Sequence, residues 1–258
     1  MDLASSLGGI AVIVVGMIAL SLVELLIPLQ RRSGWNTVHL VPNLVLTLLT
    51  FAIGATLNVG MLLALVALQG SGLGLLNMIG LPGWLETAVA ILVLDLAWYV
   101  THVSLHRFGW MWRHHAIHHS DPAVDVTTSV RQHPGETLIR YLYTASFALA
   151  VGASPEAFAI YRVWSVLNAL LEHANIRLPE RLDAALATVI VSPDTHKVHH
   201  SRERALHDSN YSNIFTLWDR LFGTWTPRVL GRGVDYGLAD GDAKDRQRLA
   251  ALLAEPYR

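Results

Sequence analysis

The stretch LDLAWYVTHVSLHRFGWMWRHHAIHH, residues 94–119, runs an apolar helical pattern straight into five histidines at motif spacing. His102 and His106 stand four apart at the end of that run, so in a helix their rings share one face, one turn above the other. His115, His118 and His119 follow at i, i+3 and i+4. Far downstream, SPDTHKVHH at 192–200 repeats the H-x2-HH spacing with His196, His199 and His200. If each triplet is helical it presents one face of imidazoles, and two distant clusters of one spacing imply one shared site.

Imidazole nitrogen ligates zinc, copper, iron and nickel, and the affinity order alone does not choose among them. The number of candidates says more. A single zinc takes three or four protein ligands, whereas the three motifs already supply eight histidines, which points to two metal ions sharing the site. Burying so many imidazoles without a metal or an acid to satisfy them is costly. Isolated histidines such as His39, His114 and His207 read instead as hydrogen-bonded core or surface residues.

Composition narrows the class. Hydrophobic residues make up 52% of the 258 and charged residues 15%, with a mean hydropathy of +0.39, a membrane-type balance. The formal net charge of -1 provides no electrostatic footprint for nucleic acid. The absence of cysteine excludes disulfides, thiolate zinc sites, iron–sulfur clusters and a cysteine nucleophile. Any metal is therefore held by histidine, carboxylate and water.

The run from Leu7 to Leu29 is long enough to cross a bilayer and carries only Glu24 as a charge. It lacks the basic leader and cleavage pattern of a signal peptide, so it reads as a retained transmembrane helix with the role of Glu24 open. Arg31 and Arg32 follow, which places the N-terminus outside and the arginines inside. A second run, about Val38 to Leu68, contains Pro42, Gly54 and Gly60 and returns the chain to the outer face, where the loop 69–83 has no Lys or Arg. Trp84 to Val103 then crosses inward, with Trp84 as an interfacial anchor.

Asp95 lies inside that third crossing, on the face of His102 and His106, and is expected to orient a ligand histidine by a hydrogen bond. Beyond Arg107, Arg113 and Arg131, which mark a cytosolic segment, the apolar segments Glu136 to Val151 and Pro155 to Leu171 are each short for a crossing. They read as a tilted pair or a hairpin entering from the inside. From Asn175 onward the chain reads as a cytosolic cap with a charged tail, 231–258.

These pieces together resemble the fatty acid hydroxylase and sterol desaturase superfamily of membrane di-iron enzymes. The resemblance covers roughly Asp95 to Pro227. It rests on Asp95, Tyr99 and His102-x3-His106; Trp112-Arg113 and His115-x2-His118-His119-Ser120; and Thr127-Thr128-x2-Arg131-x-His133-Pro134-x-Glu136. It continues through His173-x-Asn175, Pro179, Ser192-Pro193-x2-His196-x2-His199-His200, Asn210-Tyr211 and Trp218-Asp219-Arg220-Leu221-Phe222-Gly223-Thr224. His114, Asp125 and His207 depart from the family's usual residues.

The resemblance implies an all-α integral membrane fold of about four membrane-inserted or spanning helical units under a cytosolic, histidine-rich helical catalytic region. Residues 1–83 would be transmembrane helices, 84–230 the catalytic domain and 231–258 the tail. It implies that His102, His106, His115, His118, His119, His196, His199 and His200, joined by His133 and His173, bind two Fe ions, with zinc as a substitute taken up in purification. Asp95, Glu136, Asp194 and Asp219 would orient imidazoles, and Asn210 would help pack the cap.

The implied reaction is O2-dependent hydroxylation or desaturation of a lipid, with electrons from a separate ferredoxin or cytochrome b5-like partner. Arg107, Arg113, Arg131, Lys197, Arg202 and Arg204 are candidates to dock it. Two other classes compete. A metal transporter would set its ligands near the bilayer midplane; a haem-binding electron carrier would need paired single histidines in place of triplets. A zinc hydrolase lacks its H-E-x2-H pattern here.

Overall fold

The computed structural model describes residues 3–31, 36–238 and 245–258; Arg32 and residues 239–244 of the tail lie outside the described residues. All regular secondary structure among them is helical. Five long helices set the frame: α1 (Leu3–Leu26), α2 (Asn36–Ser71), α4 (Gly83–Arg107), α6 (Pro134–Val151) and α7 (Pro155–His173), with the short α3 (Leu75–Ile79) after α2. The segments Gly8–Leu26, Val38–Ile79 and Gly83–Arg107 are long and apolar enough to cross a membrane, as fits a multipass membrane protein.

Every long helix runs between the same two ends of the bundle. At the far end, the turn before α3 meets the turn between α6 and α7: a Cβ on Gly74 would lie 2.5 Å from the Gly152 Cα. Both glycines have positive φ, 100° and 71°. Ser154 caps α7 by accepting from the Ala157 amide, and Pro155 opens the helix where no donor is needed. The pair α6–α7 was expected to be short for a crossing, yet its tip reaches the end of the bundle opposite the histidines.

The other end is built from polar groups buried among apolar ones. Gly9 and Gly16 of α1 face Val163 and Leu167 of α7, so the two helices run parallel. Where they finish, Glu24 accepts from the backbone amides of Val126 (2.9 Å) and Asn175 (2.6 Å). Residues 27–30 then pair with 175–177, Leu29 donating to the Asn175 carbonyl and Arg177 to that of Ile27. The role of Glu24 is thereby settled as a peg. At the start of α2, Asn43 donates to Asp121 (2.8 Å) and accepts from Arg131 (2.6 Å).

Short helices close this end, α5 (Gly109–His119), α8 (Glu180–Leu186), α9 (Pro193–His199), α10 (Arg204–His207) and α12 (Leu249–Ala254), while α11 (Leu217–Leu221) is held at Asp95, midway along α4. The C-terminal segment read as a charged tail is in part core. Leu252 is buried against Leu46 and Ile117, and Gln247 accepts from Arg131 and donates to the Ser120 carbonyl. Arg131 spends its guanidinium entirely inside, on Ile117, Asn43, Ser120 and Gln247.

The glycine contact at the far end makes a direct prediction. Gly74→Ala, which brings both a backbone clash and a left-handed alanine, destabilises the detergent-solubilised protein by roughly 2 kcal/mol, read as a lowered Tm. Gly60→Ala, placed in open space on α2, leaves Tm unchanged or slightly raised.

Candidate metal centre

The histidines lie where α4 ends and α5 turns back. Phe108 adopts an extended conformation between them (φ -96°, ψ 116°), which lets α5 fold its imidazoles over those of α4. α9, opened by Ser192 and Pro193, brings in the third motif from above. His102, His106, His115, His119 and His199 form one buried group, and His118, His173, His196 and His200 a second; within each, the ligand atoms lie within 4.8 Å of one another.

The two triplets do not present one face each, as their spacing suggested. His115 and His119, at i and i+4, share the first group, whereas His118 crosses to the second. On α9 the assignment is reversed: His196 and His200 belong to the second group and His199 to the first. The residue at i+3 points about 80° round the helix from the mean direction of residues i and i+4, enough to aim at two neighbouring points. Each triplet therefore stitches both groups, and His119 stacks on His200 at 4.7 Å between ring centres.

Five of the outward nitrogens are anchored, whereas Nδ1 of His118, His196 and His200 is buried without a hydrogen-bond partner. His102 Nδ1 donates to the Tyr211 carbonyl (2.8 Å), His115 Nδ1 to Glu136 (2.9 Å), His106 Nδ1 to Asp208 (3.1 Å), His199 Nδ1 to the Ser209 carbonyl (2.7 Å) and His173 Nδ1 to the Ala169 carbonyl (2.7 Å). Each bond fixes the tautomer that leaves Nε2 as a lone pair facing inward. Burial, reinforced by neighbouring imidazoles, holds His115, His119, His196, His199 and His200 well below the ordinary histidine range, and His118 is pushed down to about 3. They are neutral imidazoles at pH 7.

The inward nitrogens have too few protons among them. His173 Nε2 lies 3.1 Å from Nε2 of His118, His196 and His200 alike, and one imidazole cannot satisfy three. His106, His119 and His199 each leave a buried Nε2 with no hydrogen-bond partner. Nitrogen lone pairs converging without donors are what a borderline metal cation satisfies. The donor set fits a metal in each group.

The remaining expected residues fall out differently. His133 stands apart from both groups: its Nδ1 accepts from the Gly135 amide and caps α6, and its ring meets His114 and Tyr257. Glu136 does orient an imidazole. Asp95 touches no histidine, because its carboxylate is spent on the amides of Ile214 and Phe215 and the Trp218 indole. Asp219 takes the amides of Tyr211 and Ser212, so it acts on His102 only through the Tyr211 carbonyl. Asp194 pairs with Arg232, and Asn210 (φ 52°) bridges Thr195 and Thr226.

Other residues had no motif to announce them. Glu172 places Oε1 3.7 Å from nitrogens of both His173 and His196, and its position beside His173 was the only available signal. Lys197 is buried and donates to the carbonyls of Glu172, His173 and Ala174, capping α7 with its charge. With Arg131 also buried, neither can dock a partner, which leaves Arg107, Arg113, Arg202 and Arg204 of the six. His207, read as an ordinary surface or core residue, stacks on Trp112 and joins His106 and Asp208 as a third, smaller group.

The fatty acid hydroxylase family model matches residues 87–224, more than half of the chain and the whole of this centre. The chain belongs to the fatty acid hydroxylase family. Among characterised members it is 30% identical to the alkylglycerol monooxygenase of Danio rerio over 58% of its own length and 32% of that protein's. It is 26% identical to the ornithine lipid hydroxylase OlsE of Rhizobium tropici over 68% and 51%, and 25% to a cholesterol 25-hydroxylase-like protein of Danio rerio over 54% and 55%. It thus spans about a third of the alkylglycerol monooxygenases and about half of the other two. No solved structure matches it.

Within this member of the family, Asp95 is expected to hold the 214–218 loop. Asp95→Ala strips three buried donors of their acceptor, at about 1–3 kcal/mol for each left unsatisfied, and hydrogen exchange of the Ile214 and Phe215 amides rises steeply. Asp95→Asn, which keeps one acceptor oxygen, gives an intermediate rise.

Proposed function

We propose that this protein is a membrane di-iron oxygenase that inserts oxygen into, or removes hydrogen from, an unactivated C–H bond of a lipid. The observation that carries this reading is the pair of adjoining all-imidazole groups, of five and four histidines, gathered where α4, a helix apolar enough to cross a bilayer, ends. Nine histidines would hold the metals: His102, His106, His115, His119 and His199 in one group, His118, His173, His196 and His200 in the other. Bound there, a reducible iron pair supplies the O2 activation and C–H oxidation.

The chain's own residues do the rest. Glu136, Asp208 and the carbonyls of Tyr211, Ser209 and Ala169 keep five imidazoles in the ligating tautomer. The buried setting excludes bulk water from the reacting atoms. No side chain is placed as a nucleophile. The names of the relatives, which speak of an alkylglycerol, an ornithine lipid and a cholesterol, support a lipid substrate.

The histidine end carries Arg31, Arg107, Arg113 and Arg177, whereas the far-end loop 69–83 has no basic residue. That asymmetry supports a cytosolic centre with the N-terminus outside. The exposed Arg107, Arg113, Arg202 and Arg204 suit an acidic electron donor of ferredoxin or cytochrome b5 type.

Metal analysis and Mössbauer spectroscopy of protein purified anaerobically are expected to give about two irons per chain. His119→Ala and His196→Ala should each remove the metal of one group, whereas His133→Ala retains both. With reductant, O2 and a membrane lipid extract, the wild type should yield lipids that have gained an oxygen or lost two hydrogens by mass spectrometry. A protein that binds no iron on reconstitution overturns the reading. Glu136→Gln, which weakens the grip on His115, is expected to lower metal affinity about 10–100-fold with the fold intact by circular dichroism.

A further inference from the structure

α11 and the residue that follows it expose an apolar face: Leu217, Leu221 and Phe222 are 47, 64 and 54% exposed. Where this face sits relative to the bundle can be measured along two helices. Asp95, which binds the amides of Ile214 and Phe215 and the Trp218 indole, is midway along α4, about 18 Å of helix from Arg107. On the other side, Asn213 donates to Ser165, which lies about 12 Å of helix before His173 on α7. The loop leading into α11 therefore reaches well below the histidines, toward the middle of the helices.

The apolar zone covers that depth. α1 exposes Leu22, Leu25 and Leu26 right up to the level of Glu24, whose carboxylate binds the Asn175 amide just beyond His173. A segment hanging a further 12 Å down is inside the zone these leucines define. Phe222 also stacks on Tyr99 of α4 at 5.2 Å, so its surface is continuous with that of a helix apolar enough to span the membrane. Of the two charges on α11, Asp219 is buried on the amides of Tyr211 and Ser212, and Arg220, though exposed, donates one nitrogen to the Ala187 carbonyl and lays its guanidinium over the Trp225 ring at 4.2 Å.

We propose that α11 and Phe222 are seated in one bilayer leaflet, with Leu217, Leu221 and Phe222 in contact with lipid acyl chains. This rests on the reading that α2 and α4 cross the membrane, and it adds an inserted element that no long helix reveals. Acyl chains are the occupant because the face adjoins a spanning helix and its depth matches that of exposed leucines on α1. Behind it, Tyr99 meets Tyr211 edge-on at 6.3 Å, and Tyr211 meets His106 at 5.0 Å, so two aromatic rings separate the lipid face from the first histidine group.

The chain has no cysteine, so single nitroxide labels can be attached to the full-length protein without removing any residue. Leu221→Cys and, as a second position, Leu217→Cys would be labelled and reconstituted in phosphatidylcholine–phosphatidylglycerol vesicles. Leu63→Cys on α2 serves as the membrane reference and Arg248→Cys as the water reference; both side chains are well exposed. Relaxation by oxygen and by a water-soluble nickel chelate is then compared. The expected result is loss of nickel collisions at 217, 221 and 63, with nickel access kept at 248. Nickel access at both 217 and 221 with protection at 63 overturns the proposal alone. Nickel access at 63 as well overturns the membrane reading beneath it.

Discussion

Nine imidazoles converging on two neighbouring points, five of them held with a lone pair turned inward, are the constraint on which this structure depends. Neutral nitrogen acceptors packed against one another in a buried site are unfavourable unless something positive is shared between them. Much of the surrounding architecture holds them in that arrangement. Five outward nitrogens are tied to carbonyls and carboxylates, the loop that carries the Tyr211 carbonyl is pinned by Asp95 and Asp219, and α7 is pinned by Lys197. Removing an acceptor two contacts away from the metal positions still reaches them, because each tie orients the next.

The crossed use of the two triplets explains why a motif of three histidines, and not two, recurs. A pair at i and i+4 would serve one group only. Adding the residue at i+3 lets α5 and α9 each contribute to both groups, with the majority share exchanged between them. The two groups thus share α5 and α9, with α4 completing the first and α7 the second, and cannot be displaced independently.

Much of this was legible in the sequence for a physical reason. Helical spacing is a local property, so the pairing of His102 with His106 and the repeat of H-x2-HH could be read directly, and the apolar runs revealed the long helices. What could not be read was which nitrogen each acid would meet. Asp95 shares a face with His102 on a helical wheel, yet the loop at 214–218, more than a hundred residues away, takes its carboxylate. His133 lay in a family motif, but a proline at the next position makes it a cap. Arg131 and Lys197 looked like surface charge because their buried carbonyl partners are set by tertiary packing alone.

The parallel pairing of α1 with α7 has a consequence for the life of the chain. α1 precedes its partner by most of the bundle: Glu24 and Asn175 are separated by 151 residues. During synthesis the Glu24 carboxylate stays unmatched while α2, α4 and α6 are made. The nine imidazoles follow the same calendar, since His173, His196, His199 and His200 are synthesised after the other five. Neither nitrogen cluster is complete before His200 is made, so a chain that stalls earlier carries only fragments of each.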